Sequence, residues 1–563
     1  MKEKITLALL TVVFKAIAIW PLRVLYVLSD LIYPLVYYVA RYRREVVRKN
    51  LINSFPEKTE QEIKEIERKF YRHFCDYVVE TVKLMHISDD EMRRRVRFTN
   101  PEYIEQLRSD GRPIFLYMTL TKSITIRARA YMDGRMPSDD TAGSYIIGKT
   151  HNMPVIFLSS DPDGLFSHQN GILANGPGYT GTQTHETNAN YSKDWERAAH
   201  VQYIDEKGVA QLEFNAGIKV FGQFSRDLDQ KSLSINLRDK YGPKEICYPL
   251  FKDNEINVFS ELVLRNSGQD YNSAHIRDAF CAMVVKGQMD LDLMDYRPVA
   301  VYLNGEYYGL YDLREKICED YVANHHGADP ENIDMIKGNS AIMSGDLTAW
   351  KELLKYVNSH DLSVQANYDY VASQVDIEEL CNWWIVESFF NNTDTGNIKF
   401  YRERTEGAKW RWVLFDLDWA LYPSTYEWNM VEEIFNPAGH GVGKMFDSDL
   451  MVALLANKGF REYFITTYGK YLRTVFDTER MLGIYDAMIA EIAPEMHNQI
   501  DRWGSPSTYA RWESNVKRLR EIISEKNGLV RRDIITTFTN PSVSYLKKYS
   551  MSKAQVEALL DGV

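Results

Sequence analysis

Hydrophobic and polar positions along this chain change period several times, and each change marks an element. Residues 5–40 are dominated by Leu, Val, Ile, Tyr and Ala, interrupted by Lys15, Arg23 and Asp30 and punctuated by Pro21 and Pro34. No uncharged run there reaches the roughly 18 residues of a clean spanning helix, so the stretch predicts an interfacial or re-entrant membrane anchor. A buried hydrophobic hairpin of a soluble domain is the alternative. From Lys58 to Arg97 the period turns helical, with Ile63, Ile66, Phe70, Phe74, Tyr77, Val78 and Val82 three or four residues apart. Alternation then takes over. Strands are predicted around a polar loop in 218–238 and at 259–266, a helix at 276–284, and a hairpin at 299–316 whose Asn304 and Gly305 are a type I′ turn signal. Residues 161–166 and 195–199 read as loops. A second hairpin spans Asn391 to Leu421: Ile398, Phe400, Trp410, Trp412, Leu414 and Phe415 suit half-buried strands, and residues 406–408 supply the turn. From Met445 the pattern is helical, through Leu450, Leu454, Leu455, Phe460, Phe464 and Tyr468, then Met481, Tyr485, Met488 and Ile492, then Trp512, Val516, Leu519 and Ile522. It breaks after Thr537, and 545–563 reads as a short extra helix.

Charge divides the chain. Residues 1–115 hold 21 Lys and Arg against 16 Asp and Glu, a net +5, which leaves −16 for the rest of the −11 total. A basic, apolar head on an acidic body argues for a membrane-facing segment joined to a soluble domain, and against nucleic acid as a partner of the body. The cluster Arg41, Arg43, Arg44, Arg48 and Lys49 suits anionic headgroups. No small-x-small cleavage site follows the apolar stretch, so it does not read as a signal peptide. The length of 563 residues exceeds one domain. Cys75, Cys247, Cys281, Cys318 and Cys381 show no paired spacing and are predicted to be free thiols.

The candidate chemistry lies at the ends of the second hairpin. Asp394 and Asn397 precede its first strand, and Asp416 and Asp418 leave its second, so folding the hairpin brings three carboxylates and an amide to one edge. Such an all-oxygen set suits a hard cation carrying phosphates. Capping of turn backbones explains Asn391 and Asn392 equally well. Asp416 and Asp418 follow a strongly apolar strand, where like charges repel unless something neutralises them, and a metal is the expected partner. Three chemistries use the pattern. Kinase-like enzymes place an Asp and an Asn in a catalytic loop and return on a strand to a magnesium-binding Asp. Phosphatases of the haloacid-dehalogenase type end a hydrophobic strand in Asp-x-Asp with the first Asp, here Asp416, as nucleophile, but Trp419 and Ala420 stand where that family has Gly and Thr. Metal-dependent glycosyltransferases also use Asp-x-Asp, without other support here.

Two family resemblances refine this reading. ArgTyrArgArgGluValValArgLysAsnLeuIleAsnSerPhePro (41–56), ArgLysPheTyrArgHisPheCysAsp (68–76) and ArgArgArgValArgPheThrAsnPro (93–101) resemble the amino-terminal part of bacterial lipid A acyltransferases over residues 1–118. After the predicted strand at 113–118 such enzymes carry a His-x4-Asp motif; ThrLeuThrLysSer stands here instead. Without that pair no general base activates an acceptor hydroxyl, so the head is expected to attach the protein to a membrane, the bacterial inner membrane by this resemblance, without acyltransferase activity. Residues 119–131 with 143–147 resemble part of a β-sandwich module of chitobiase-type enzymes, which marks 119–148 as a separate segment.

AsnGlyGluTyrTyrGlyLeuTyrAspLeuArgGluLys (304–316), AsnThrAspThrGlyAsn (392–397) and TrpValLeuPheAspLeuAsp (412–418), in this order, with TrpGluArg (195–197) upstream, resemble the spore coat protein H (CotH) kinase family over about 151–535. The resemblance implies a fusion protein of α+β class: an atypical protein-kinase-like, two-lobed domain over 149–537 with a helical C-terminal lobe, and a tail over 538–563. It further implies ATP and Mg2+ as cofactors and a Ser/Thr-rich protein as substrate. By the same resemblance Asp394 is the catalytic acid of the loop, Asn397 and Asp416 are metal ligands with Asp418 supporting or sharing the metal, and Lys231 contacts phosphates. Glu315, at the end of the first hairpin, is expected to line the cleft. The polar loop at 222–230 carries only Gly222, so no glycine-rich phosphate loop of kinase type is present. The competing reading is a surface or structural binding protein that keeps the fold without turnover.

Overall fold

The fold is that of a computed structural model, which describes residues 17–20, 22–54, 58–83, 122–128, 141–182, 187–338, 340–394, 396–433, 449–542, 546 and 548–563. The chain divides into two compact units, 1–118 and 119–563. The basic stretch at 93–101 and the predicted strand at 113–118 lie outside the described residues.

In the first unit, α1 (Leu22–Pro34) continues into a π-helical turn (Leu35–Val39) and is followed by α2 (Arg44–Ser54) and α3 (Glu60–Lys83). The helical period of α3 is as expected, but its buried face is rotated: Ile63, Glu67, Tyr71, Cys75 and Val79 are buried, whereas Phe70 and Val78 are 43% and 41% exposed. The polar anchor of that face explains the phase. Glu67 is fully buried and accepts a 2.7 Å hydrogen bond from Arg44 Nε. Among the described residues no helix is long and apolar enough to cross a membrane.

The second unit begins with a ribbon of β1 (Ile124–Ala128) and β2 (Thr141–Tyr145), which pair with each other. A seven-stranded closed barrel follows, built from β3 (Val155–Ser160), β4 (Glu196–Ile204), β5 (Ala210–Val220), β6 (Leu233–Asn236), β9 (Glu261–Arg265), β11 (Tyr296–Leu303) and β12 (Glu306–Glu315), while β7 (Ile246–Cys247) and β8 (Val258–Phe259) form a small side pair. Asn304 and Gly305 turn β11 into β12 with positive φ at both positions, as the sequence predicts. Residues 195–199 enter β4, and 162–166 form a helical turn capped by Asp161, where loops were expected. The barrel closes by a parallel pairing of β3 with β11. Both strands are apolar on both faces because both are covered: Ile156, Leu158, Val299 and Val301 fill the interior, and Val155, Phe157, Ala300 and Tyr302 meet the helices outside.

Beyond α4 (Arg277–Val285), α5 (Glu319–His326), α6 (Thr348–Ser359), α7 (Gln365–Gln374) and α8 (Ile377–Phe389), a second sheet has the order β10-β16-β15-β13-β14, with β10 (Asp292–Leu293), β13 (Ile333–Lys337), β14 (Ala341–Ser344), β15 (Lys399–Glu403) and β16 (Arg411–Leu414). Its Ile336, Phe400, Trp412 and Leu414 enter the main core, and Met335, Tyr401 and Val413 a smaller one with Ile317 and Tyr321. The lobe is completed by α9 (Asp449–Leu454), α10 (Lys458–Arg473), α11 (Thr478–Trp503), α12 (Tyr509–Thr539) and α13 (Lys553–Asp561). The barrel is tied to α11 at Gly309, where Gln499 accepts from the Leu310 amide (2.9 Å) and donates to Gln230 (2.6 Å). A Cβ on Gly309 would collide with both glutamines. The architecture is of mixed α+β class, and the five cysteines are free.

Candidate active site

Asp416 leaves β16 with φ +65°, an uncommon conformation for a non-glycine residue, and the turn that follows brings Asp418 into the protein. The partner of both acids comes from β9. Arg265 Nη2 donates to Asp418 Oδ2 at 2.8 Å and to Asp416 Oδ1, while Nη1 reaches Asp278 of α4 at 3.4 Å. After Arg265 the chain turns through Ser267 and Gly268, both with positive φ. Glycine is required at 268 for space as well, because a Cβ would collide with the Asp418 carboxylate. The next amide, of Gln269, donates to Asp418 Oδ2 at 3.0 Å. Asp278 accepts from Arg314 Nη1 on one oxygen and from the Leu417 amide, at 2.7 Å, on the other. The Asp-x-Asp turn is thus gripped on both sides. The expectation that a metal neutralises the pair is corrected in one respect: a guanidinium already bridges the two acids.

The loop before β15 meets this turn. Asp394 accepts a 2.7 Å hydrogen bond from Asn397 Nδ2, and its own amide donates to Asn392 Oδ1 at 3.2 Å. Asn391 has φ +51°; its amide group donates to the Thr425 and Trp428 carbonyls, and its oxygen accepts from Lys526 of α12 at 2.7 Å. These two asparagines hold the loop, as the capping reading has it. Burial and the neighbouring Asp416 carboxylate raise the pKa of Asp394. The same causes push Asp418 up to about 8. Burial pushes Glu387 of α8 up to about 8, with Asp394 and Asp416 adding to it against a hydrogen bond from Asn392. Asp278 goes the other way: against burial, Arg265 and Arg314 hold it at about 2. Carboxyl groups are therefore crowded where Asp394, Asp416, Asp418 and Glu387 converge, and burial and mutual repulsion favour their protonated forms.

The structure brings Asp394, Asn397, Asp416 and Asp418 together. It does not bring Lys231 or Glu315 to them. Lys231 lies two residues before β6 and gives its ammonium to the carbonyls of Arg226 and Leu228, both at 2.9 Å, over the Tyr191 ring. Glu315 is buried and accepts from the Asp295 amide at 3.1 Å, with His325 Nε2 2.8 Å from its other oxygen. The residues that sequence reasoning missed are Arg265, Gly268, Asp278 and Glu387. One signal was available, the run ArgAsnSerGlyGlnAsp (265–270), in which an arginine leaves a buried strand into a glycine turn.

Among the described residues no three His, Cys, Asp or Glu side chains stand close enough to hold a metal by themselves. The donor chemistry nonetheless fits a hard divalent cation shared with phosphate oxygens. Among the described residues, Asp416 bonds Arg265 through Oδ1, leaving Oδ2, and Asn397 turns its NH2 to Asp394, leaving its carbonyl oxygen. Asp418, buried and twice bonded, is placed to orient Arg265 and Asp416.

Comparison with individually characterised proteins gives no match. Among family models, that of bacterial lipid A biosynthesis acyltransferase matches residues 2–129, so the head is similar to those enzymes. A second model, CotH kinase protein, matches residues 218–530, which span β6, the Arg265 turn, the loop of Asp394 and the Asp416 turn. More than half of the chain is covered by that match, and the protein belongs to the CotH kinase protein family.

Proposed function

We propose that the unit at 119–563 transfers a phosphoryl group from ATP, with Mg2+, to a Ser or Thr hydroxyl of a protein. The observation that carries this reading is the convergence of Asp394, Asn397 and Asp416 in a site crowded with carboxyl groups. Mg2+, when bound, would be held by Asn397 and Asp416 and would neutralise phosphate charge. Asp394 accepts the proton of the attacking hydroxyl; its raised basicity, from burial and Asp416, favours that role. Asn397 fixes the orientation of the Asp394 carboxylate, and Asp418 with Arg265 fixes Asp416. Because phosphoryl transfer proceeds through a loose transition state, positioning and charge are most of what the protein has to supply.

The phosphatase reading loses support from topology. β16 is antiparallel to β15 and parallel only to the two-residue β10, and the Asp416 carboxylate is engaged by Arg265. The test is transfer of radiolabelled phosphate from ATP to a Ser-rich protein by wild type, Asp394→Asn and Asp416→Asn. Wild-type transfer no faster than either variant would defeat the reading and leave a binding protein with this fold.

We propose further that the head rests on a lipid surface, with the exposed Trp20, Val27, Leu31, Leu35 and Val39 as its apolar contact and Arg41, Arg43 and Lys49 beside them. Deleting 1–118 should abolish sedimentation with anionic vesicles and leave phosphoryl transfer unchanged; vesicle binding by the deleted protein would refute this.

A further inference from the structure

Lys337 closes β13 and Lys399 opens β15, and the antiparallel register sets them directly opposite each other. Opposed residues project from the same face with Cβ atoms about 4.5–5.5 Å apart, and like charges so placed destabilise a sheet. Lys399 is buried, and its ammonium has a single long hydrogen bond, 3.4 Å to the Ile317 carbonyl, beside the Phe415 ring at 4.7 Å. Neither lysine forms an ion pair with an acid among the described residues. The neighbouring Lys316, by contrast, is matched by Glu261 at 2.6 Å. Lys337 acts electrostatically on Asp394, and Asp416 on Lys399, so the pair borders the acid cluster.

A buried, weakly bonded ammonium next to a second one is costly, and what offsets the cost is an anion that both can reach. The anion must come next to Asp394 and Asp416. A polyphosphate chain does so, and lysine binds phosphate as a point charge. We propose that Lys337 and Lys399 form the phosphate-chain subsite of the nucleotide, in the place that Lys231, satisfied within its own loop, does not fill. The proposal rests on the phosphoryl-transfer reading and deepens it.

Calorimetric titration of the full chain with magnesium tripolyphosphate, ATP and adenosine tests it, using wild type, Lys337→Met, Lys399→Met and the double variant. Methionine keeps the reach and removes the charge. Tripolyphosphate affinity should fall about 10-fold in each single variant and about 100-fold in the double, a factor of about ten for each ammonium removed. Adenosine affinity should stay within about 2-fold, and the melting temperature should hold or rise because repulsion is relieved. Equal tripolyphosphate affinity in wild type and variants, or no binding by wild type, overturns the proposal. An equal loss of adenosine binding also overturns it, since the lysines would then serve the base. If ATP binds with lysine-independent affinity and its phosphoryl group is transferred to the acceptor, the subsite fails and the phosphoryl-transfer reading stands. If tripolyphosphate binding depends on the lysines but no phosphate is transferred, the subsite stands and that reading fails. The single variants keep the test open should the double variant not fold.

Discussion

Both units bury acids against arginine, and they do so in opposite proportions. In the head, the fully buried Glu67 meets one guanidinium, that of Arg44, and Lys83, at the far end of the same helix, is satisfied by the Ala18 and Trp20 carbonyls. One acid there meets one guanidinium, and the pair sets which face of α3 turns inward. In the body, Asp278, Asp416 and Asp418 share Arg265, and Glu387 and Asp394 add further carboxylates without a guanidinium of their own. A matched pair places an element. Carboxyl groups crowded about one guanidinium keep oxygen donors for a phosphate-carrying cation.

The comparison breaks hardest at Asp394. Asp394→Asn removes charge from the acid-rich side, so transfer to protein serine should fall by roughly 10²–10⁴-fold, as for a lost general base, while the fold holds. Radiolabel transfer at a wild-type rate would return Asp394 to a structural part. Next comes Arg265→Met, which takes the shared cation from the buried Asp418 and the partly exposed Asp416 and leaves Asp278 with Arg314 alone, and should cost about 3–5 kcal/mol in chemical denaturation. Arg44→Met in the head should cost less, because it unpairs one buried carboxylate, Glu67, where Arg265 serves three acids. A larger loss in the head would reverse the contrast.

Ligand linkage sharpens the comparison. Saturating ATP with magnesium should stabilise wild type by about 2.7 kcal/mol at a hundredfold excess over Kd, and Asp416→Asn by much less. Equal thermal shifts would remove Asp416 from the site. The smallest effect is in pH. Glu387 titrates near 8 in the folded protein and near 4 when unfolded, so its contribution is fully present below about 4 and is lost as pH rises through 8. Without divalent metal the melting temperature should therefore decline from pH 6 to 9, and Glu387→Gln should flatten the decline. Asp278 has the opposite sign: held at about 2, it stabilises above about 4 and loses that contribution only as pH falls through 2. Parallel curves for wild type and Glu387→Gln would show that the acid excess is already compensated.

Much of the site was legible because its pieces are local. The hairpin register, the type I′ turn at Asn304 and the approach of Asp394 to Asp416 follow from strand alternation and turn chemistry over a few tens of residues. Arg265 was not legible, since it bonds Asp416 across 151 positions of sequence. Nor was the inward face of α3, because a helical period fixes spacing and leaves phase to the partner. Phe70 lost the buried position to Glu67 once Arg44 was there to receive it.

By itself, the sequence determined the order of elements, the split between a basic head and an acidic body, and the convergence of the Asp and Asn residues that mark the family. These rest on periodicity, turn geometry and motif, all of them properties of near neighbours. Only the tertiary structure decided the rest: that β3 closes a barrel against β11, that Arg265 stands between Asp416 and Asp418, that Lys231 is satisfied by its own loop, and that Lys337 faces Lys399. Each depends on which distant strand lies alongside, and strand pairing is set by burial over the whole domain, which no short stretch of chain encodes.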